Sequence, residues 1–129
     1  MSGARGEDAD VLVGELVDGP SGAVDVSDCT VLGEGAETVY AYGYRCAPDR
    51  LKIGSCRGDA ASRVANQIAT GTPDRPILFL EIRTHDCRAL ERVLHGLFRL
   101  QGRKIEGAGA EWFLVSRDEV IAACRRVLG

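Results

Sequence analysis

Apolar and polar positions alternate strictly through "TVYAYGYRC" (38–46), with Val39, Ala41 and Gly43 on one side and Tyr40, Tyr42 and Tyr44 on the other. A period of two is that of a half-buried strand. "APDR" (47–50) reads as a turn in which Pro48 presets φ, and "LKIGSC" (51–56) returns as a second strand, so the pair predicts an antiparallel hairpin. Asp59 is placed to cap a helix over about 60–70, which Gly71 and "TPDRP" end. "PILFLEIRT" (76–84) is an apolar, β-rich third strand. The period then changes to that of an amphipathic helix in "HDCRALERVLHGLFRLQG", covering 87–101. "EWFLV" (111–115) is short and extended, and its Trp112 and Phe113 are expected to anchor the core. Ser116 followed by Glu119 is a capping box that opens a last helix over 117–128. The order β-β-α-β-α-(β)-α predicts an α/β (α+β) fold, a small central antiparallel sheet flanked by helices.

Residues 1–37 behave differently. They are rich in Gly, Asp, Glu and Val and contain no aromatic residue, and "DGPSG" and "GEGAE" interrupt them. We expect a loosely ordered acidic leader, with at most one edge strand in "DVLVGELV" (10–17), followed by one domain over 38–129. The charge divides in the same place. Residues 1–38 carry nine acids and one base, Arg5, whereas 39–129 carry fifteen bases and ten acids, so a balance of −8 is joined to one of +5 within a net −3. A basic globular part with an acidic leader suits an anionic partner for the former, which the overall charge conceals.

Composition narrows the class. Forty-five per cent hydrophobic and 27% charged residues are usual for a soluble domain, and no apolar run reaches the roughly 20 residues of a membrane span. The start "MSGARGEDAD" lacks the apolar region of a secretory signal, so the expected location is cytoplasmic. Five cysteines, at 29, 46, 56, 87 and 124, form no CxxC pair, and they read as reduced thiols rather than as zinc ligands or disulfides.

The 87–101 helix carries the chemistry. At 100° per residue, with Leu90 at zero, Val93, Leu97, Leu90, Leu94, Cys87 and Phe98 span a core arc from about 300° to about 80°. Glu91 lies on its rim at about 100° and His95 beside it at about 140°, and Arg88, Arg99 and Arg92 follow at about 160–200°. A half-buried carboxylate beside a cationic ridge suits a divalent ion that bridges protein and phosphate. A plain surface pairing of Glu91 with His95 or Arg88 is the alternative, and most helix charges only solubilise.

Taken in order, these residues resemble the GIY-YIG nuclease superfamily, in its phage-associated branch with KIG as the second tripeptide. "TVY" (38–40) stands where the family has GIY and "KIG" (52–54) where it has YIG. Arg63 in "SRVANQIATGTP" is similar to the family arginine of the first helix. Glu91 and His95 in "ALERVLHGLF" are similar to the branch's metal-binding glutamate and adjacent histidine, and "EWF" closes the pattern. Thr38 replaces the first family Gly, Lys52 the second family Tyr, and Gln67 stands where many relatives carry Tyr or His. The resemblance implies an endonuclease dependent on one Mg²⁺ or Mn²⁺ held by Glu91, with Arg63 clamping the phosphate and Tyr40 or Lys52 orienting or deprotonating water. His95 would position water or the leaving group. Arg57, Arg88, Arg92, Arg99, Arg103 and Lys104 would bind the backbone of double-stranded DNA, with a homodimer or a partner protein supplying specificity. Two other readings remain open: a nucleic-acid-binding module that does not cut, and a domain regulated by the acidic leader folding over its basic face.

Overall fold

The computed structural model describes residues 23–68, 74–107 and 111–129. Five strands are formed among them: β1 (Thr30–Gly33), β2 (Glu37–Tyr44), β3 (Ala47–Cys56), β4 (Ile77–Thr84) and β5 (Trp112–Phe113). Three helices accompany them: α1 (Ala60–Gln67), α2 (Cys87–Leu100) and α3 (Arg117–Leu128). The strands build a mixed sheet in the order β1-β4-β2-β3-β5. The α/β class stands as expected, and β2 pairs antiparallel with both β3 and β4. The sheet is not wholly antiparallel, because β1 adds a parallel edge against β4, with Thr30 opposite Leu80 and Leu32 opposite Ile82.

That edge strand comes from the acidic segment. Its extended residues lay Leu32 against one core cluster, and Val24 is buried in the other, so this part of 1–37 adds an edge strand to the sheet. The strand foreseen at 10–17 lies outside the described residues. The hairpin turn also moves. It falls at Arg45 and Cys46, while "APDR" continues β3. Tyr44 pairs with Ala47 beyond a register irregularity, and Pro48 lies in this terminal stretch, where a missing N–H breaks no central ladder.

The alternation in β2 sends its residues into two cores. Val39 and Ala41, with Leu51, Ile53, Leu80 and Ile82, meet α2, α3 and Phe113. Tyr40, Tyr42 and Leu78 meet Ala60, Ala61 and Val64 of α1 on the opposite face. Helices therefore cover both faces, which explains why β4 is apolar nearly throughout. On α2 the buried residues are Cys87, Leu90, Leu94 and Phe98. Val93, placed in the core by its angle, is 45% exposed, since the buried arc is centred near Leu94 and Cys87 and falls short of the far edge.

Two of the three helix starts, those of α1 and α3, carry the caps expected of them, and Asp86 caps α2. Asp59 accepts from Ser62 N at 2.9 Å, and Ser116 and Glu119 form the reciprocal box. At the other end of α2, Gly102 takes φ +72° and the Gly102 and Arg103 amides return to the Arg99 and Phe98 carbonyls. The turn sends the chain back towards β5. Phe113 is fully buried there, 5.0 Å from the His95 ring and 6.0 Å from Phe98 by centroids. Phe113→Ala is therefore expected to lower stability by about 3–5 kcal/mol, read as a shifted midpoint in urea denaturation with an unchanged slope.

Candidate functional site

Only Leu51 and Lys52 of β3 pair with β5. Beyond them the strand forms an open sheet edge, with α1 on one face and α2 on the other. A cleft of about 880 Å³ wraps this edge. Tyr40 and Arg63 enter it from the α1 side, and Glu91, His95 and Arg92 from α2. Gly54, Ser55 and Cys56 form the edge between them, and Glu111 closes one end. Four of the five residues expected to carry chemistry, Tyr40, Arg63, Glu91 and His95, thus border one cleft.

Lys52 does not border it. Its register opposite Tyr42 and Trp112 places it in an aromatic layer, with Nζ 6.0 Å from the Tyr42 ring centroid. Tyr42 and Tyr44 share that layer with Trp112, at centroid distances of 5.7 and 6.1 Å. The tyrosine face of the hairpin is mostly a packed surface, and Tyr42 and Tyr44 do not line this cleft.

Tyr40 is the exception, and Gly54 is the reason. A Cβ built on Gly54 would lie 2.6 Å from the Tyr40 hydroxyl oxygen and 2.7 Å from its Cζ. The bare glycine lets the phenol lie flat across β3 and reach the cleft, although the residue is only 1% exposed. Gln67 Nε2 donates to the Tyr40 oxygen at 3.0 Å, and Arg63 also hydrogen-bonds it. Burial raises the Tyr40 pKa, and the Gln67 and Arg63 donors only partly offset this. The group is thus a neutral phenol at pH 7. With its oxygen accepting from two donors, its own O–H is left to donate.

Across the edge, the Ser55 hydroxyl donates to Glu91 Oε1, and Glu91 Oε2 lies 3.6 Å from His95 Nε2. That same His95 nitrogen is 2.8 Å from the Ile53 carbonyl oxygen. A carbonyl only accepts, so Nε2 carries the hydrogen. Ile53 N in turn donates to the Glu111 carbonyl at 3.2 Å. One residue of "KIG", Ile53, therefore contacts both His95 and the Glu111 backbone through its carbonyl and its amide. Glu91, His95 and Glu111 each offer one donor atom within 4.8 Å of the others, a set of two carboxylates and an imidazole that fits a divalent cation. Cys56 and Cys87 also line the cleft, and burial raises both thiols, which disfavours them as nucleophiles or metal ligands.

The basic residues divide. Arg57, Arg88, Arg92 and Arg99 line the cleft. Arg57 is held there by Glu37 at 3.1 Å, whose other oxygen accepts from Cys87 N at the start of α2. Arg103 and Lys104 lie elsewhere. Arg103 is tied to Glu119 at 2.8 Å and to the Leu114 carbonyl, and Lys104 points to the Ile105 carbonyl. Sequence reasoning missed Ser55 and Glu111. Glu111 stood in plain view before Trp112, but the triplet reads first as an aromatic plug, and Ser55 becomes relevant only once α2 crosses the β3 edge.

Residues 37–128 match the model of the T5orf172 domain, and the chain belongs to that family, a phage-associated domain found in some nuclease-like proteins. No curated protein and no solved structure matches it. Among the described residues no helix is long and apolar enough to cross a membrane.

The Gly54–Tyr40 approach makes a sharp test. Gly54→Ala must displace the phenol and is expected to cost about 1–3 kcal/mol. Gly58→Ala, where a Cβ meets nothing within 4 Å, should stay within about 0.5 kcal/mol of the wild type. Chemical denaturation of the two variants side by side checks both.

Proposed function

We propose that the chain is a metal-dependent endonuclease that hydrolyses phosphodiester bonds in double-stranded DNA. The observation that carries the reading is convergence. Tyr40, Arg63, Glu91 and His95, from three separate elements, border one cleft whose rim holds Arg57, Arg88, Arg92 and Arg99. A phenol, a guanidinium, a carboxylate and an imidazole around a cationic groove match what phosphate hydrolysis requires.

In the reaction, a water oxygen bonds to phosphorus as the P–O3′ bond breaks, and a proton ends on the departing 3′ oxygen. A Mg²⁺ or Mn²⁺ ion held at Glu91 would supply Lewis-acid polarisation of a phosphate oxygen. Ser55 holds the Glu91 carboxylate in place through its hydroxyl. Arg63 offers its planar donor fork to a non-bridging oxygen. Of the two groups considered for handling water, Tyr40 borders the cleft and Lys52 does not, so the reading gives the role to Tyr40. Since burial keeps this phenol protonated, it positions the water through hydrogen bonds rather than by removing its proton. His95 lies beside the carboxylate and steadies the β3 edge through Ile53. Arg88, Arg92 and Arg99 grip the backbone on either side of the scissile bond, with an affinity that falls as salt rises.

Supercoiled plasmid incubated with Mg²⁺ or Mn²⁺ tests the proposal. The wild type should nick or linearise it, whereas Glu91→Ala and Arg63→Ala should each lose about 100-fold or more in rate. Glu91→Ala should retain DNA affinity and a native melting curve. A wild type that shifts plasmid in a gel without relaxing it would identify a binding module on this fold instead.

A further inference from the structure

We propose that Glu111 is a direct ligand of the divalent ion, paired with Glu91, and that His95 is not one. The assignment rests on the nuclease reading for its purpose, but its argument is geometric. Glu111 belongs to the donor set gathered within 4.8 Å. Its backbone carbonyl is fixed by Ile53 N at 3.2 Å, so the side chain is delivered to the cleft by β-type pairing just where the ladder with β5 ends. Among the described residues no hydrogen bond or ion pair reaches the Glu111 carboxylate. By contrast, Glu91 is held by Ser55 and Glu37 by Arg57 and Cys87. Among the described residues, the Glu111 carboxylate is thus a cleft acid that no donor holds.

The Nε2 atom of His95 is excluded by its proton. Its Nε2 faces both the Ile53 carbonyl at 2.8 Å and Glu91 Oε2 at 3.6 Å, and the carbonyl requires a hydrogen on it. To ligate through Nε2 the ring would have to give up its hydrogen bond to the Ile53 carbonyl. His95 thus orients the carboxylate and the edge, and two carboxylates bind the ion with water completing its sphere. Oxygen donors of this kind favour hard cations such as Mg²⁺ and Mn²⁺ over softer ones.

Mn²⁺ titration of the full chain tests this, with binding read from loss of the free-ion electron paramagnetic resonance signal. Glu91→Gln and Glu111→Gln should each weaken Mn²⁺ binding by about tenfold or more, since each removes one charged ligand. His95→Gln keeps an N–H for Ile53 but no imidazole, and it should bind with an affinity near that of the wild type. Glu111→Gln binding as the wild type does would overturn the assignment. So would His95→Gln losing as much as Glu91→Gln, or a wild type that binds no Mn²⁺. Plasmid nicking run in parallel separates the two proposals. The predicted pattern of Mn²⁺ binding without nicking removes the nuclease reading alone, and nicking with unimpaired Mn²⁺ binding by Glu111→Gln removes this assignment alone.

Discussion

Tyr40 and Gly54 face each other across the β2–β3 hairpin, and the phenol lies where any Cβ on residue 54 would stand. This contact ties side-chain chemistry to strand register. Because successive side chains leave a strand on opposite faces, a slip of one residue would carry Tyr40 into the α2 core and Val39 out of it. The register that seats Tyr40 on Gly54 also places Lys52 opposite Tyr42, turns Ser55 towards Glu91 and leaves the Ile53 peptide at the edge. A two-residue β5 is part of the same design. Were it longer, its ladder would occupy the backbone beyond Lys52 and close the cleft.

An open sheet edge normally presents unpaired donors and acceptors, and proteins cover or occupy it. Here the Ile53 groups of the edge are satisfied by a side chain and a backbone carbonyl that border the cleft. Ile53 accepts from His95 and donates to Glu111. Cys56 Sγ is 3.4 Å from the Gly58 carbonyl, and Glu37 binds both the Arg57 side chain and the Cys87 amide. Holding the edge and assembling the cleft therefore share interactions, and the site is built mainly on two strands and two helices rather than on a long loop.

Local physics made much of this legible. The alternation in 38–44, the helical period over 87–101 and the caps at Asp59 and Ser116 are short-range patterns, and the structure keeps them. Non-local pairing was not legible. The β1–β4 contact joins segments some fifty residues apart, and nothing in "TVLG" alone separates an edge strand from a loop. Pro48 invited a turn that the chain makes two residues earlier. Lys52 sits in a motif that resembles a catalytic tripeptide, yet whether it meets the cleft depends on where β5 docks, and "EWF" does not announce its register. Glu111 escaped for the same reason: its role requires knowing that Ile53 lies beside it.

The cationic rim also has a cost that bears on its purpose. Arg88, Arg92 and Arg99 recur at four and seven residues along α2, which stacks three like charges on one face. Like charges at a four-residue spacing destabilise a helix by a few tenths of a kcal/mol. Among the described residues no carboxylate pairs with any of the three. Arg99 gains from the negative end of the helix dipole, but Arg88 sits in the first turn, where that dipole repels it. A helix selected only for stability would place an acid there, as α3 does with Asp118 and Glu119. On the proposed reading, an external polyanion and a cation together would relieve the arginine at the wrong end of α2 and the acids Glu91 and Glu111 gathered in the same cleft. That combination is what a phosphate backbone with its metal ion would bring.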